Sequence, residues 1–231
     1  MFDKNSGEFR PAALVPAFRC ASTVGGVVVG LRNVVPDVLV VDDGSGDGTP
    51  DAARAAGARV LVRPANGGKG SALRDGLAAL LAEPFSHVAF VDADGQHDPA
   101  DLPALLAAAR SGADFVIGSR LKDTAIMPAK NYWANTIGDK VLGRMTGLPV
   151  EDGQSGYRVI AADLLRQLRL RAERYSIENE ILIKAAPRVR RFAAVPVKTI
   201  YGVRSHYRPF RDTWITSWLS VYYKTLDSDA S

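Results

Sequence analysis

Short apolar runs and polar, glycine-rich breaks alternate along the first 120 residues. The runs ALVPAF (13–18), VLVVDD (38–43), RVLVRP (59–64), HVAFVDAD (87–94) and FVIGSR (115–120) are rich in β-branched residues, the pattern of strands buried on both faces. Between them, residues 23–33, 49–56, 69–82 and 99–111 are rich in Ala and Leu and predict helices. Thr49 before Pro50 and Asp98 before Pro99 read as helix starts. This β-α-β-α order predicts an α/β fold, a parallel sheet with helices on both faces.

After Arg120 the order loosens. A loop carrying Met127 and Pro128 leads to a predicted helix near 131–145, then to the glycine-rich EDGQSGYR (151–158) and a strand-like VIAA (159–162). A helix over SIENEILIKAA (176–186) and a strand over FAAVPVKTIY (192–201) follow. The tail reads as an amphipathic helix with Trp214, Trp218, Leu219 and Tyr222 near one face. That face suits a membrane surface, the core or a second copy of the chain equally. No repeat or low-complexity linker divides the chain. The expectation is one domain over 1–231: a half at 11–120, a second at 121–212 and the tail at 213–231.

Composition narrows the class. With 47% hydrophobic and 23% charged residues, the 231-residue chain can bury a sizeable core. Its one cysteine, Cys20, excludes a disulfide framework and a Cys-based zinc site. The N-terminus shows no basic-then-apolar leader, and no apolar run reaches about 18 residues. A cytoplasmic location is expected. The formal charge of +4 is uneven: from Ile181 to Arg211 there are eight Lys or Arg and no acid. That stretch is either a solvated basic edge or a seat for an anionic partner such as a phosphorylated substrate or lipid head group. No recognition-helix, RRM or zinc module accompanies it, so nucleic acid is not an expected partner.

Ligands of open α/β sheets bind beyond the carboxyl ends of the strands. There the polar clusters lie: Asp42 and Asp43, Arg63 to Asn66, Asp92 and Asp94, and Ser119 with Arg120. These should converge on one crevice. VDDGSGDGTPD fails as a calcium loop, since Arg54 stands at the twelfth place where a bidentate Glu is required. It also fails as a dinucleotide fingerprint, for its glycines do not fit G-x-G-x-x-G. Carboxylates there suit hydrogen bonds to a nucleobase or ribose. NGGKGSA (66–72) lacks P-loop spacing, yet its glycines and Lys69 open a helix as an anion seat would. In DADGQHD, Asp92 and Asp94 stand two apart at a strand end and are expected to face the same side. Like charges held together call for a positive partner, and hard oxygen ligands favour Mg²⁺ or Mn²⁺, with Gln96 or His97 completing the shell. Asp98 fits a plain helix cap.

The ordered series LVPAF, VVDDGSGDGT, NGGKGSALRDG, DADGQHDP, GSR, DGQSGYR, SIENEIL and TIYGVRSHYRPFRDT, spanning about 11–215, resembles the family-2 inverting glycosyltransferases, above all those acting on dolichyl or polyprenyl phosphate. The resemblance implies the GT-A fold, a three-layer sandwich around a mostly parallel sheet, and Mg²⁺ or Mn²⁺ as cofactor. It implies nucleotide-sugar contacts at Pro16, Ala17, Asp42, Asp43, Asn66, Lys69, Asp92, Ala93 and Arg204, and metal contacts at Asp92, Asp94 and Gln96. Arg120 resembles the arginine that meets the acceptor phosphate, with Ser155, Arg158, Ser205 and His206 on the acceptor side. Asp94, Asp152, Arg120 and Glu178 become the catalytic candidates. Two positions depart from the pattern: the first strand continues Pro16-Ala17-Phe18-Arg19-Cys20 where relatives read P-A-Y-N-E, and Ala194 stands where many carry Glu.

The resemblance implies sugar transfer with inversion from a UDP- or GDP-sugar to a polyprenyl or dolichyl phosphate. The basic 188–211 segment and the aromatic tail would suit peripheral contact with the inner face of a membrane, or the tail packs on protein instead. Transfer to a sugar or other hydroxyl, and a non-catalytic nucleotide-sugar or lipid-phosphate binding module, are the alternatives. A lipid phosphate needs no base. A hydroxyl would need one, and Asp152 or Glu178 could serve, although Glu178 reads equally as an exposed helix acid beside Glu180.

Overall fold

The computed structural model describes residues 8–120, 129–172, 176–198 and 200, with backbone alone for 129–137. Its strands are β1 (Pro11–Ala17), β2 (Asp37–Asp42), β3 (Arg59–Val62), β4 (His87–Phe90), β5 (Phe115–Ser119), β6 (Arg158–Ala161) and β7 (Phe192–Pro196). The helices are α1 (Val24–Arg32), α2 (Thr49–Ala55), α3 (Lys69–Leu81), α4 (Leu102–Arg110), α5 (Ala129–Thr146), α6 (Ala162–Arg166) and α7 (Ile177–Ala185). One sheet holds all seven strands in the order β3-β2-β1-β4-β6-β5-β7.

Alternation along each strand builds the layers, because successive side chains leave opposite faces. Leu14, Val41, Phe90 and Ile160 face a core closed by Leu73, Leu77 and Leu80 of α3, Leu142 of α5 and Ile177 and Ile181 of α7. Their neighbours Val15, Val40, Val91 and Val159 face the other core, closed by Val24, Val28 and Leu31 of α1, Ala53 of α2 and Leu102 and Leu105 of α4. The result is the expected three-layer α/β sandwich.

The chain runs outward from β1 to β2 and β3, then returns through α3 to set β4 on the other side of β1, parallel to it. Strand order therefore reverses between β1 and β4, and a crevice opens at their carboxyl ends. There the structure differs from a purely parallel sheet. β6 enters between β4 and β5, antiparallel to both, while β5 pairs in parallel with β7. The N-terminal end of β6 thus lies at the carboxyl ends of its neighbours and delivers 152–158 to the crevice. Periodicity alone does not distinguish this orientation.

Two boundaries also shift. The run 87–94 is strand only to Phe90, whose partner Arg158 is the first residue of β6. Past that point the ladder has no second neighbour and the chain turns, so Asp92 and Asp94 sit in a loop and not along an extended strand. Likewise 192–201 is strand only to Pro196, and Tyr201 lies outside the described residues, as do Met127, Pro128 and the aromatic tail. Asp98 caps as expected, its Oδ1 accepting from the Ala100 amide at 2.9 Å ahead of the 3₁₀ turn Pro99–Asp101. Thr49 does not cap α2. Asp47 accepts from the Thr49 amide at 2.9 Å, and the buried Thr49 hydroxyl accepts from the Cys20 amide at 2.9 Å.

Close approach of α3 to the sheet depends on Gly76, where an added Cβ would collide with Leu14 Cδ1 and come within 2.8 Å of Val41 Cγ2. Gly76→Ala should cost about 1–3 kcal/mol through overpacking. Gly26→Ala, on the exposed side of α1 with nothing within 4 Å, should gain about 0.5–1 kcal/mol. Urea unfolding midpoints moving in opposite directions would check both.

Candidate active site

The loops after β1 and β2 are tied together before any ligand arrives. The Asp42 carboxylate accepts from the Ser45 hydroxyl and, at 3.2 Å, from the Ser45 amide, while the same hydroxyl accepts from the Arg19 amide at 2.9 Å. Asp43 accepts from the Gly67 and Gly68 amides at 3.0 and 2.8 Å and pairs with Arg63, which is itself held by Asp75 at 2.7 Å. Both acids are buried, at 1% and 3% exposure. Asp43 thereby shapes the Gly-rich turn entering α3, and Asp42 the turn that follows β2. Asn66, expected to contact the nucleotide, stands exposed on that turn.

Lys69 opens α3 at the inner wall of the crevice. Its Nζ lies 2.5 Å from Asp92 Oδ1 and 2.6 Å from Glu178 Oε1. Burial works against its charge, but Asp92 and Glu178 outweigh that and raise its pKa above the ordinary lysine value. Burial likewise opposes ionisation of Asp92, and Lys69 with His97 reverses the balance, leaving the carboxyl below its usual range. The sequence reading of Lys69 as an anion seat is thereby modified, because both acids engage its ammonium. Glu178 is buried, not an exposed helix acid. So is Glu180, which pairs with Lys184 at 3.0 Å and accepts from the Ala172 amide at 2.8 Å.

The loop after β4 carries both Asp92 and Asp94, each half-buried. Ala93 is buried, and its carbonyl accepts from the Thr23 hydroxyl at 2.7 Å. Asp94 Oδ1 accepts from the Gln96 amide at 3.0 Å. His97 packs on the Tyr157 ring at 5.0 Å with Nε2 3.8 Å from Asp92, and burial first lowers its pKa to about 4, so it is neutral at pH 7. Gly156 permits this crowding: a Cβ there would stand 2.5 Å from Asp92 Oδ2. Pro16, Lys69, Asp92, Gly156, Arg158 and Glu178 line one small cavity, and Ala17 is buried beside Pro16 at the end of β1. Among the described residues no three His, Cys, Asp or Glu side chains gather as a ready metal cage. Asp92 and Asp94 with Gln96 supply hard oxygen donors on one loop, a donor set that fits Mg²⁺ or Mn²⁺ once a ligand adds its own oxygens.

Just past β5, Arg120 and Asp152 form a two-pronged pair: Nε to Oδ2 at 2.6 Å and Nη2 to Oδ1 at 2.7 Å, with the Arg120 amide also donating to Oδ2. Asp152 is fully buried with φ +56°. Burial would raise its pKa, but Arg120 overrides this and holds it below the ordinary carboxylate value. With both oxygens on Arg120, Asp152 is not poised as a general base. Arg158 and Ser155, expected on the acceptor side, are engaged by the protein's own backbone. Arg158, 1% exposed, donates to the carbonyls of Ser155, Glu178 and Gly153 at 2.8, 2.7 and 2.6 Å. Burial lowers its pKa to about 10, which leaves it charged at neutral pH. Ser155 Oγ, also buried, accepts from the Tyr157 amide at 3.3 Å. Arg204, Ser205 and His206 lie outside the described residues, though the chain leading to them passes over the Asp94 loop, the Ile200 amide donating to the Gln96 carbonyl at 3.0 Å.

Sequence reasoning missed two groups. The Lys69 bridge joins three motifs read separately, and Asp139 of α5 accepts from the Asp152 and Gly153 amides, both at 2.8 Å. Nothing around Asp139 in the sequence marks it as more than a helix acid.

A doubly wound sheet with a carboxylate-bearing loop at its switch point is the arrangement of the GT-A glycosyltransferases. Glucosyl-3-phosphoglycerate synthase of Mycobacterium tuberculosis, solved with Mn²⁺ and UDP-glucose, superposes with a TM-score of 0.71 at 23% identity, over 93% of this chain and 77% of that one. The chain belongs to glycosyl transferase family 2, whose model matches residues 12–169, and it is a glycosyltransferase. Among relatives, the glycosyltransferase AglJ of Haloferax volcanii is 31% identical over 208 residues, 86% of this chain and 67% of that protein. The undecaprenyl-phosphate mannosyltransferase of Micrococcus luteus is 34% identical over 204 residues, 81% of this chain and 82% of its own.

The Arg120–Asp152 pair sets a pH dependence. Since the folded pKa of Asp152 lies below 3.8, its stabilisation is present above that value and is lost as pH falls through the lower, folded one. Asp152→Asn should destabilise by about 3–5 kcal/mol at pH 7, the cost of removing one partner from a buried pair. The gap to the wild type should close below about pH 4, as urea unfolding at the two pH values would record.

Proposed function

We propose that this glycosyltransferase moves a sugar, with inversion, from a UDP- or GDP-sugar to a polyprenyl or dolichyl phosphate. The observation that carries the choice of acceptor is the state of the acids. Asp152 is held by Arg120 and Glu178 by Lys69, and a carboxylate already holding a cation is a poor base. A hydroxyl acceptor would need one, whereas a phosphate is ionised at neutral pH and needs none. The relatives named for undecaprenyl phosphate, and for dolichyl phosphate in Haloferax volcanii, support the same reading.

In this scheme the acceptor phosphate oxygen attacks the anomeric carbon as the bond to the nucleoside diphosphate breaks. Arg120 orients the acceptor phosphate, and the loops built on Asp42 and Asp43 hold the nucleoside end. Arg204 would serve the diphosphate, and Ser205 and His206 the acceptor. Asp92, Asp94 and Gln96 would hold the divalent ion, Mg²⁺ or Mn²⁺, which when bound supplies charge neutralisation to the leaving diphosphate. Lys69 keeps Asp92 ionised and fixed for that role. The basic stretch 188–211 suits work at an anionic membrane surface on the cytoplasmic side. No helix among the described residues is long and apolar enough to cross a membrane.

The test pairs donor binding with transfer. Calorimetry with UDP- and GDP-sugars should show one donor class binding only with Mn²⁺ or Mg²⁺. Asp94→Ala should weaken that binding at least tenfold and reduce transfer by about 10²-fold or more. Metal-independent donor binding unchanged in Asp94→Ala would refute the metal assignment. Transfer to a sugar hydroxyl but not to polyprenyl phosphate would refute the acceptor.

A further inference from the structure

Arg120 must present its guanidinium at a fixed angle to meet a phosphate, yet it extends from the last turn of β5 into a loop. Its orientation comes from Asp152, which grips Nε and Nη2 together and accepts the Arg120 amide as well. Asp152 in turn sits at φ +56°, a backbone state that a non-glycine residue holds only when its surroundings impose it. Asp139 imposes it. From α5 it receives the Asp152 amide on Oδ2 and the Gly153 amide on Oδ1, each at 2.8 Å. The fit is close, since a Cβ at residue 153 would stand 3.3 Å from Asp139 Oδ1 and 2.7 Å from Leu142 Cδ1. Three acidic and basic side chains from three elements thus form one rigid line from α5 to the acceptor side of the crevice.

We propose that Asp139 is a positioning residue, which sets the orientation of Arg120 through the 152–153 turn and works only when its carboxylate is ionised. An ionised carboxylate accepts both amide hydrogens, whereas the neutral acid puts a hydroxyl against one of them. The groups facing it are Asp152, which favours the proton, and Arg120, which opposes it, while burial acts first and most strongly to raise the pKa to about 6. Lys140 and Arg144 on the same helix are exposed. The acids of α7, which packs against α5, are turned elsewhere: Glu178 to Lys69 and Glu180 to Lys184. The device therefore switches in the physiological range, loose in acid and set at neutral pH.

The sign distinguishes this role from simple scaffolding. Because the folded pKa exceeds the unfolded 3.8, the contribution of Asp139 to stability is full below the unfolded value and lost as pH rises through about 6. Over the same interval the grip on Arg120 tightens. Stability and positioning move oppositely, which a merely structural residue would not produce. Asp139→Asn removes the buried charge but turns an NH₂ toward one of the two amides; the two effects oppose each other, and the variant should remain folded at neutral pH.

The inference rests on the proposed role of Arg120 at the acceptor phosphate, and the test separates the two. In the wild-type protein the Gly153 amide and the Arg120 Nε–H resonances should titrate together with a midpoint near pH 6, and in D139N neither should move over pH 5–7. Movement of Gly153 without Arg120, or an Arg120 titration that survives in D139N, would overturn the relay. In parallel, the KM for polyprenyl phosphate should rise in the wild type as pH falls through this window. In D139N it should stay about tenfold high at pH 7.5, the loss of one charge-assisted hydrogen bond. Ionisation of the acceptor itself is common to both enzymes and cancels in the ratio. An equal KM for both enzymes at pH 7.5, with kcat alone changed, would overturn the positioning role. If neither enzyme transfers to polyprenyl phosphate, the acceptor reading falls while the two resonances still decide the relay.

Discussion

A single ammonium group at the start of α3 joins the parts of this protein on which everything else rests. Lys69 reaches Asp92, just past β4, and Glu178, in the first turn of α7, so that segments more than a hundred residues apart in sequence meet at one buried charge. Two carboxylates in so enclosed a place repel each other and lose hydration, and the cation between them offsets both costs. Arg158 extends the same logic to the backbone: its guanidinium gathers the carbonyls of Gly153, Ser155 and Glu178, and so ties the antiparallel β6 to α7. These two cations add to the contacts that already join the loop after β4 to the turn before β6, the His97–Tyr157 ring packing and the Tyr157 hydroxyl on the Asp98 carbonyl at 3.2 Å.

Around this inner framework the charges are paired. Asp92 is compensated by Lys69, and Asp94 follows it on the same loop. On the other wall Arg120 is aligned by Asp152, itself held by Asp139. Charge paired and held in this way need not reorganise when a ligand arrives, the condition under which enclosed sites stabilise a changing charge distribution.

The motifs legible in the sequence turn out to divide their labour differently from the order in which they stand out. Asp42 and Asp43 attract notice as strand-end carboxylates, yet their oxygens also hold Ser45, Gly67, Gly68 and Arg63 in place. Arg158 and Ser155 read as acceptor contacts and are buried scaffolding. Glu178 reads equally as an exposed helix acid and is an interior counter-ion. In each case residue type announces the capacity to bind, and the partner that uses this capacity comes from a distant part of the chain. Asp139 is the converse, an unremarked helix acid given its place by the turn it holds.

The linear order of apolar runs was enough to determine the layers, the strand-end location of the site and most helix boundaries. These follow from local periodicity and from the need to bury both faces of a sheet. The ordered motif series was likewise enough for the family. What only the tertiary structure decided was the antiparallel insertion of β6, the early end of β4 and the pairing of every buried charge. Those depend on which strand lies next to which, and on desolvation at contacts between residues remote in sequence, and neither leaves a periodic trace along the chain.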